Sequence, residues 1–361
     1  MAHVSLMGYP DLDAAPQALA GAQLEAALAQ FERHAQGATL GRATVERHGT
    51  YGFVARAPGA RGPHIDLLLM ALNHGDEVAG LDVLNALCSA LQDDAAVPTL
   101  SIGFLLCNVA AARRGQRFVE RDLNRSFDRS DTATLEDRCA RAIEPMLALA
   151  RHSVDLHQTI EPSPTPFFVV GCDEPSLRFA QALAPQNPIV TYWGAGFSQA
   201  AGQGRTSDQF IQRRGGISVS VELGQKGFCP QQRELGKQLC LRALALVGAL
   251  QGGAALGPLS DQLSPIYSWR EVVPYPDGDV QLRPGLVNFE PVAQGQAMGR
   301  VGAQALLAPA SGLLLFPKYV HAPEQARPAE LYRLLRQLTL PEVTQACRDV
   351  SLIEQNERRV P

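Results

Sequence analysis

The chain has 361 residues, 46% of them hydrophobic and 19% charged, enough for two domains around a large core. A formal net charge of −4 argues against nucleic acid as the main partner, which asks for a basic face. Met1–Leu40 shows no basic segment followed by an apolar one, and no apolar run approaches about eighteen residues, so neither a signal peptide nor a membrane partner is expected.

Residues 11–36 are rich in Ala, Leu and Gln, with Leu24, Ala27, Leu28 and Phe31 at helical spacing; they predict a helix packed on the main body. Residues 47–57 predict a strand and 58–63 a Pro/Gly turn. Ile65–Leu72 is a near-continuous apolar run, as expected of a strand covered on both faces. Further strands are predicted at 99–106, 153–156, 167–170 and 217–221, with helices at 78–91, 135–150, 175–183 and 231–250. Alternating strands and helices predict an α/β sheet flanked by helices. Around Gln251–Pro258 small residues and Gly mark a linker. Beyond it, short β-like runs at 269–273, 285–289, 297–301 and 312–316 predict a smaller, mostly-β C-terminal domain, with a helix at 328–338. The expected domains are a helical extension over 1–45, a catalytic domain over 46–252 and the β-rich domain over 262–361.

Seven cysteines at wide spacings, with no C-x-x-C, read as reduced thiols of a cytoplasmic protein, mostly small core residues. Cys229, close in sequence to Glu222, is the one thiol to weigh as a nucleophile.

The apolar run 65–72 leads straight into Asn73-His74-Gly75-Asp76-Glu77. A His and a Glu three residues apart at a strand end can grip one metal ion, and His157, closing Asp155-Leu156-His157 after another apolar stretch, can add a third ligand. Two nitrogens and a carboxylate leave a position open for water, the pattern of a catalytic zinc site. Ligand sites in open α/β sheets gather beyond the carboxyl ends of strands, so the two motifs can converge. The competing reading makes His74 a helix cap, Glu77 a first-turn carboxylate favoured by the helix dipole and His157 a core histidine. Arg117 and the cluster around Asn124 and Arg125 offer planar forks for a carboxylate or a developing oxyanion, or else a solvated turn. Glu222 ends a further apolar strand, placed either as a general base or facing solvent.

Taken in order, these pieces resemble the succinylglutamate desuccinylase/aspartoacylase family, a branch of the zinc carboxypeptidase superfamily. The matching stretches are His74-Gly75-Asp76-Glu77, Arg117 with Asp122-Leu123-Asn124-Arg125-Ser126-Phe127, Asp155-Leu156-His157-Gln158-Thr159 and Glu222-Leu223-Gly224. The resemblance implies a carboxypeptidase-like mixed sheet and one Zn²⁺ per chain, held by His74, Glu77 and His157. It implies Glu222 as general base, Arg117 as oxyanion stabiliser, Asn124 and Arg125 as carboxylate binders and Asp155 as a partner behind a metal ligand. The substrate implied is a small N-acyl amino acid. Two departures bear on its identity: the substrate-binding tyrosine of the aspartoacylase branch has only Tyr319 as an approximate counterpart, and Arg213 and Arg214 are offset candidates for a substrate-binding arginine. The segment 194–205, rich in Gly, Ala, Gln and Ser, is expected to be a mobile loop bordering the pocket. A carboxypeptidase acting on small peptides and a catalytically silent zinc-binding protein remain as alternatives. Oligomeric state stays open.

Overall fold

The computed structural model describes residues 17–60, 62–93, 100–192, 204–319 and 328–357. The strands, in chain order, are β1 (Thr39–Leu40), β2 (Ala43–Arg47), β3 (Gly52–Arg56), β4 (Leu67–Ala71), β5 (Ile102–Leu106), β6 (His152–Thr159), β7 (Phe167–Gly171), β8 (Ile189–Tyr192), β9 (Ile217–Gln225), β10 (Ile266–Pro274), β11 (Val280–Leu282), β12 (Pro291–Val292), β13 (Ala297–Val301), β14 (Gln304–Leu307), β15 (Gly312–Leu315) and β16 (Glu330–Gln337). The helices are α1 (Gln17–Gln36), α2 (Ala79–Asp93), α3 (Val109–Arg113), α4 (Leu135–Leu147), α5 (Glu174–Leu183), α6 (Ser207–Gln212), α7 (Pro230–Gln251) and α8 (Leu340–Glu357). No described helix is long and apolar enough to cross a membrane.

A 13-stranded mixed sheet runs in the order β1-β2-β3-β5-β4-β6-β9-β7-β8-β10-β16-β15-β12, and β11, β13 and β14 make a small antiparallel sheet. The expected α/β architecture with a β-rich C-terminal part is therefore present. Its centre, β5-β4-β6-β9, is parallel throughout, so four carboxyl ends lie along one edge, where ligand sites form. Every residue of β4 and β5 is buried. Leu67, Leu69 and Ala71 face the core shared with α1, α2 and α7, whereas Leu68 and Met70 face a second core with Met146, Leu147 and Phe210. Such two-sided burial, at about 1.5–3 kcal/mol per large side chain, explains the unbroken apolar run.

All four apolar residues that marked the N-terminal helix (Leu24, Ala27, Leu28, Phe31) are buried against that first core; the helix's predicted first residues, 11–16, lie outside the described ones. The strand expected over 47–57 is present as β3, the second arm of a hairpin in which β2 pairs with β3 antiparallel. Two other expectations are corrected. Residues 285–289 form turns and not a strand, with Gly285 and Phe289 both at positive φ. The helix expected over 328–338 is instead strand β16, paired on one side with β10 and on the other with β15. Leu331, Leu334 and Leu335 stand at helical spacing, but strand pairing on both flanks overrides that local preference. The terminal helix is α8, whose Val343, Ala346 and Cys347 are buried.

Candidate metal centre and active site

His74 lies three residues past the end of β4. Between them Leu72 adopts φ 59°, which turns the chain out of the sheet. Gly75 has no alternative: a Cβ there would lie 2.3 Å from the backbone nitrogen of Ala112. This close approach seats the His74–Glu77 turn on α3, and the Gly75 N–H donates to the Arg117 carbonyl at 3.0 Å. His157 is in β6, and its register partner in the adjacent parallel strand β9 is Glu222.

His74, Glu77 and His157 converge, all three buried, with ligand atoms within 4.8 Å of one another. Each Glu77 carboxylate oxygen faces one imidazole: His74 Nδ1 lies 2.9 Å from Oε1 and His157 Nδ1 lies 2.8 Å from Oε2. The opposite ring nitrogens face carboxylates as well. His74 Nε2 is 3.2 Å from Asp122 Oδ1, and His157 Nε2 is 3.1 Å from Asp155 Oδ2, though too oblique for a hydrogen bond. Metal-binding histidines characteristically turn their second nitrogen to a carboxylate in this way. The donor set therefore fits a divalent ion such as zinc. Burial raises the Glu77 carboxyl, but His74 and His157 outweigh it and hold the group well below its usual range.

The neighbours are themselves fixed. Asp155, fully buried, accepts from Asn73 Nδ2 at 2.6 Å and from Ser207 Oγ at 2.8 Å. Gln158 donates its backbone N–H to Glu77 Oε2 at 3.1 Å, while its side chain accepts from Ala79 N and donates to the Gln225 and Gly227 carbonyls. This ties the start of α2 to the chain beyond β9.

Arg117 reaches Glu77 Oε1 at 3.2 Å and Asp122 Oδ2 at 3.4 Å, with its side chain 40% exposed. Against the cost of its desolvation, the Asp122, Glu77, Asp76 and Glu222 carboxylates hold its pKa above the ordinary value. Burial first, and the Glu77 carboxylate second, push Glu222 up to about 7. Among the described residues its buried Oε2 receives no hydrogen bond.

The loop carrying Arg117, Asn124 and Arg125 is anchored by a residue that sequence inspection missed. Glu136, near the N-terminus of α4 and fully buried, accepts from Asn108 Nδ2 and from three consecutive backbone N–H groups, those of Val119, Glu120 and Arg121, at 2.7–3.1 Å. Asp122 was also passed over as a partner of His74, although it sits within the Asp122–Phe127 motif. Asn124 is buried and its Oδ1 accepts from Ser207 N at 2.8 Å. Arg125 NH1 donates to the Asn124 carbonyl. Arg214 pairs with Asp128 at 2.8 Å and lies over the Phe210 ring at 3.5 Å, and Arg213 caps α6; neither contact involves the His–Glu–His group. Tyr319 donates to the Arg283 carbonyl at 2.6 Å. Cys229 occupies the N-cap position of α7. Of the loop expected over 194–205, residues 194–203 lie outside the described ones.

Fold and site together define a mixed α/β protein with a His–Glu–His donor group at the carboxyl edge of its parallel strands. Residues 63–247 match the succinylglutamate desuccinylase/aspartoacylase catalytic domain, and the chain belongs to that family. The succinylglutamate desuccinylase of Pseudomonas paraeruginosa is 46% identical over 70 residues, covering 19% of this chain and 21% of that protein. The corresponding protein of Pseudomonas fluorescens strain Pf-5 is 39% identical over 89 residues, 25% of this chain and 26% of that one. The chain thus spans about a quarter or less of the length of these curated relatives in the matched regions. Among solved structures, the succinylglutamate desuccinylase from Chromobacterium violaceum superposes with a TM-score of 0.65 at 19% identity, covering 88% of this chain and 98% of that one. Murine aminoacylase 3 gives a TM-score of 0.60 at 19% identity, covering 77% and 97%. These structural likenesses speak to the fold.

Proposed function

We propose that the protein is a zinc-dependent deacylase that hydrolyses the amide bond of a small N-acyl amino acid. The observation that carries this reading is the convergence of His74 Nδ1, Glu77 and His157 Nδ1, backed by Asp122 and Asp155, with Glu222 beside them in register. Relatives named desuccinylase support the reaction class.

His74, Glu77 and His157 would hold the ion, which when bound supplies a Lewis acid that polarises a carbonyl and makes water acidic near neutral pH. Glu222 takes the proton from the attacking water and delivers it to the leaving amine nitrogen. Its free Oε2 and its pKa of about 7 suit it to both transfers. Arg117, half-open to solvent and hemmed by carboxylates, offers a fixed positive fork to the oxygen that gains charge. Such a donor is worth about 2.7–4 kcal/mol in the transition state. Asn124 and Arg125 remain the residues proposed to receive the substrate's carboxylate. Arg213, at the C-terminal cap of α6, remains proposed as a further substrate-binding arginine, whereas Arg214 is not used, because it is engaged with Asp128 and Phe210.

The test is a hydrolysis screen of N-succinyl, N-acetyl and N-formyl amino acids and of unacylated dipeptides with zinc-loaded protein, run beside Glu222→Ala. An acyl-amino acid should be cleaved, and the variant should lose turnover by orders of magnitude while keeping its zinc. Release of C-terminal residues from dipeptides alone would move the reading to a carboxypeptidase. Undiminished hydrolysis by the variant would remove Glu222 from the mechanism.

A further inference from the structure

Cys172 and Cys347 are 175 positions apart in the chain, yet their Sγ atoms lie 3.3 Å apart. Cys172 sits in the turn between β7 and α5, directly before the α5 N-cap Asp173. Its backbone N–H donates to the Tyr192 carbonyl at the end of β8. Cys347 lies in α8, on the stripe with Val343, Ala346 and Val350 that packs against the main core. Both thiols are free and buried. Disulfide sulfurs stand about 2.05 Å apart, so the pair has only a little over about 1 Å to close.

We propose that Cys172 and Cys347 form a latent dithiol which a low-molecular-weight disulfide converts into a cross-link between α8 and the β7–α5 turn. The hydrogen bond with Cys172, and then burial, push the Cys347 thiol well above its ordinary range, which keeps the reduced pair quiet while α8 is seated. Local lifting of α8, the last described helix, exposes one thiol. Its thiolate attacks the small disulfide RSSR, forming a protein–SR bond and releasing RS⁻. The second thiolate then attacks the protein sulfur of that mixed disulfide, forming the Cys172–Cys347 bond and releasing a second RS⁻. The two thiol protons leave with the two RS⁻ groups as RSH, so the protein gives up two electrons and two protons and RSSR is reduced. The bond ties the terminal helix, which continues directly from β16, to the sheet that carries the site. A cross-link across so long a loop strongly restricts the unfolded chain.

This inference stands independently of the proposed hydrolase activity. The experiment incubates the folded full chain with oxidised glutathione, alkylates the remaining thiols, and determines the intact mass and the non-reduced peptide map. Thermal melts are recorded before and after treatment. Expected are an intact mass that carries five alkyl groups where the untreated chain carries seven, one linked peptide joining Cys172 to Cys347, and a midpoint raised by about 3 °C or more, all reversed by dithiothreitol. Cys172→Ser and Cys347→Ser should each abolish the linked peptide and the rise. Seven thiols still alkylatable after treatment, glutathione adducts with no internal bond, or linkage through other cysteines would each overturn it. The wild-type peptide map decides the matter even if a serine variant fails to fold.

Discussion

His157 and Glu222 are register partners in the adjacent parallel strands β6 and β9. Neighbouring register positions project to the same face of a sheet, so the proposed metal ligand and the proposed base are set side by side by the strand ladder itself. No loop has to close to bring them together. The same ladder places Asp155, two residues before His157 on the same face, behind the imidazole.

Asp122 bridges His74 and Arg117, one carboxylate oxygen to each. Asp122→Asn keeps the shape but removes the charge that orients the His74 ring. Zinc affinity, measured by competition with a chromophoric chelator, should fall by about 10–100-fold. An unchanged affinity would mean that His74 is oriented by its own turn.

Arg117→Ala should lower kcat on the cleaved acyl-amino acid by about 100–1,000-fold with a smaller change in KM. Arg117→Lys should recover little, because a lysine cannot span Glu77 and Asp122 with a planar fork. Zinc content should stay at the wild-type level in both variants. A change confined to KM would assign Arg117 to ground-state binding instead.

Glu136→Gln tests the anchor of the Arg117–Arg125 loop. Oε1 accepts from Asn108 and Val119, and Oε2 from Glu120 and Arg121. Either orientation of a glutamine amide sets its NH₂ against two of these donors. Denaturant unfolding should show a loss of about 1–3 kcal/mol. The defect in kcat/KM should exceed any defect in zinc affinity, since the metal ligands lie on other elements.

Glu330 gives a pH signature. Burial raises its carboxyl, but Arg333 and then Lys318 outweigh this and hold it below its ordinary value of 4.5. A depressed folded-state pKa means the unfolded chain binds the proton more tightly, so the stabilisation is fully present above that ordinary value and fades as pH falls through the depressed one. The difference in unfolding midpoint between wild type and Glu330→Gln should therefore be constant at neutral pH and shrink as pH falls below that ordinary value. A difference that grows with acidification would reverse the assignment.

Much of this was legible along the chain. Ile65–Leu72 announced a strand buried on both faces, and the His and Glu directly after it could only lie at that strand's carboxyl end. The N-terminal helix showed its buried stripe at Leu24, Ala27, Leu28 and Phe31. Glu330–Gln337 did not declare itself, because its three leucines fit a helical stripe and only pairing with β10 and β15 made it a strand. Glu136 was silent for a different reason: a glutamate in the first turn of a helix is ordinary, and nothing local reveals that four donors from two other segments converge on it.

The sequence by itself determined the alternation of strands and helices, the family motifs and the identity of the three candidate ligands, because apolar periodicity and residue chemistry are local properties. Tertiary structure alone decided which carboxylate stands behind which histidine, that Arg214 is engaged with Asp128 and Phe210, and that two cysteines 175 residues apart come into contact. Those relations depend on which strands become neighbours and in what register. The long-range packing that sets them is not encoded in any short stretch of the chain.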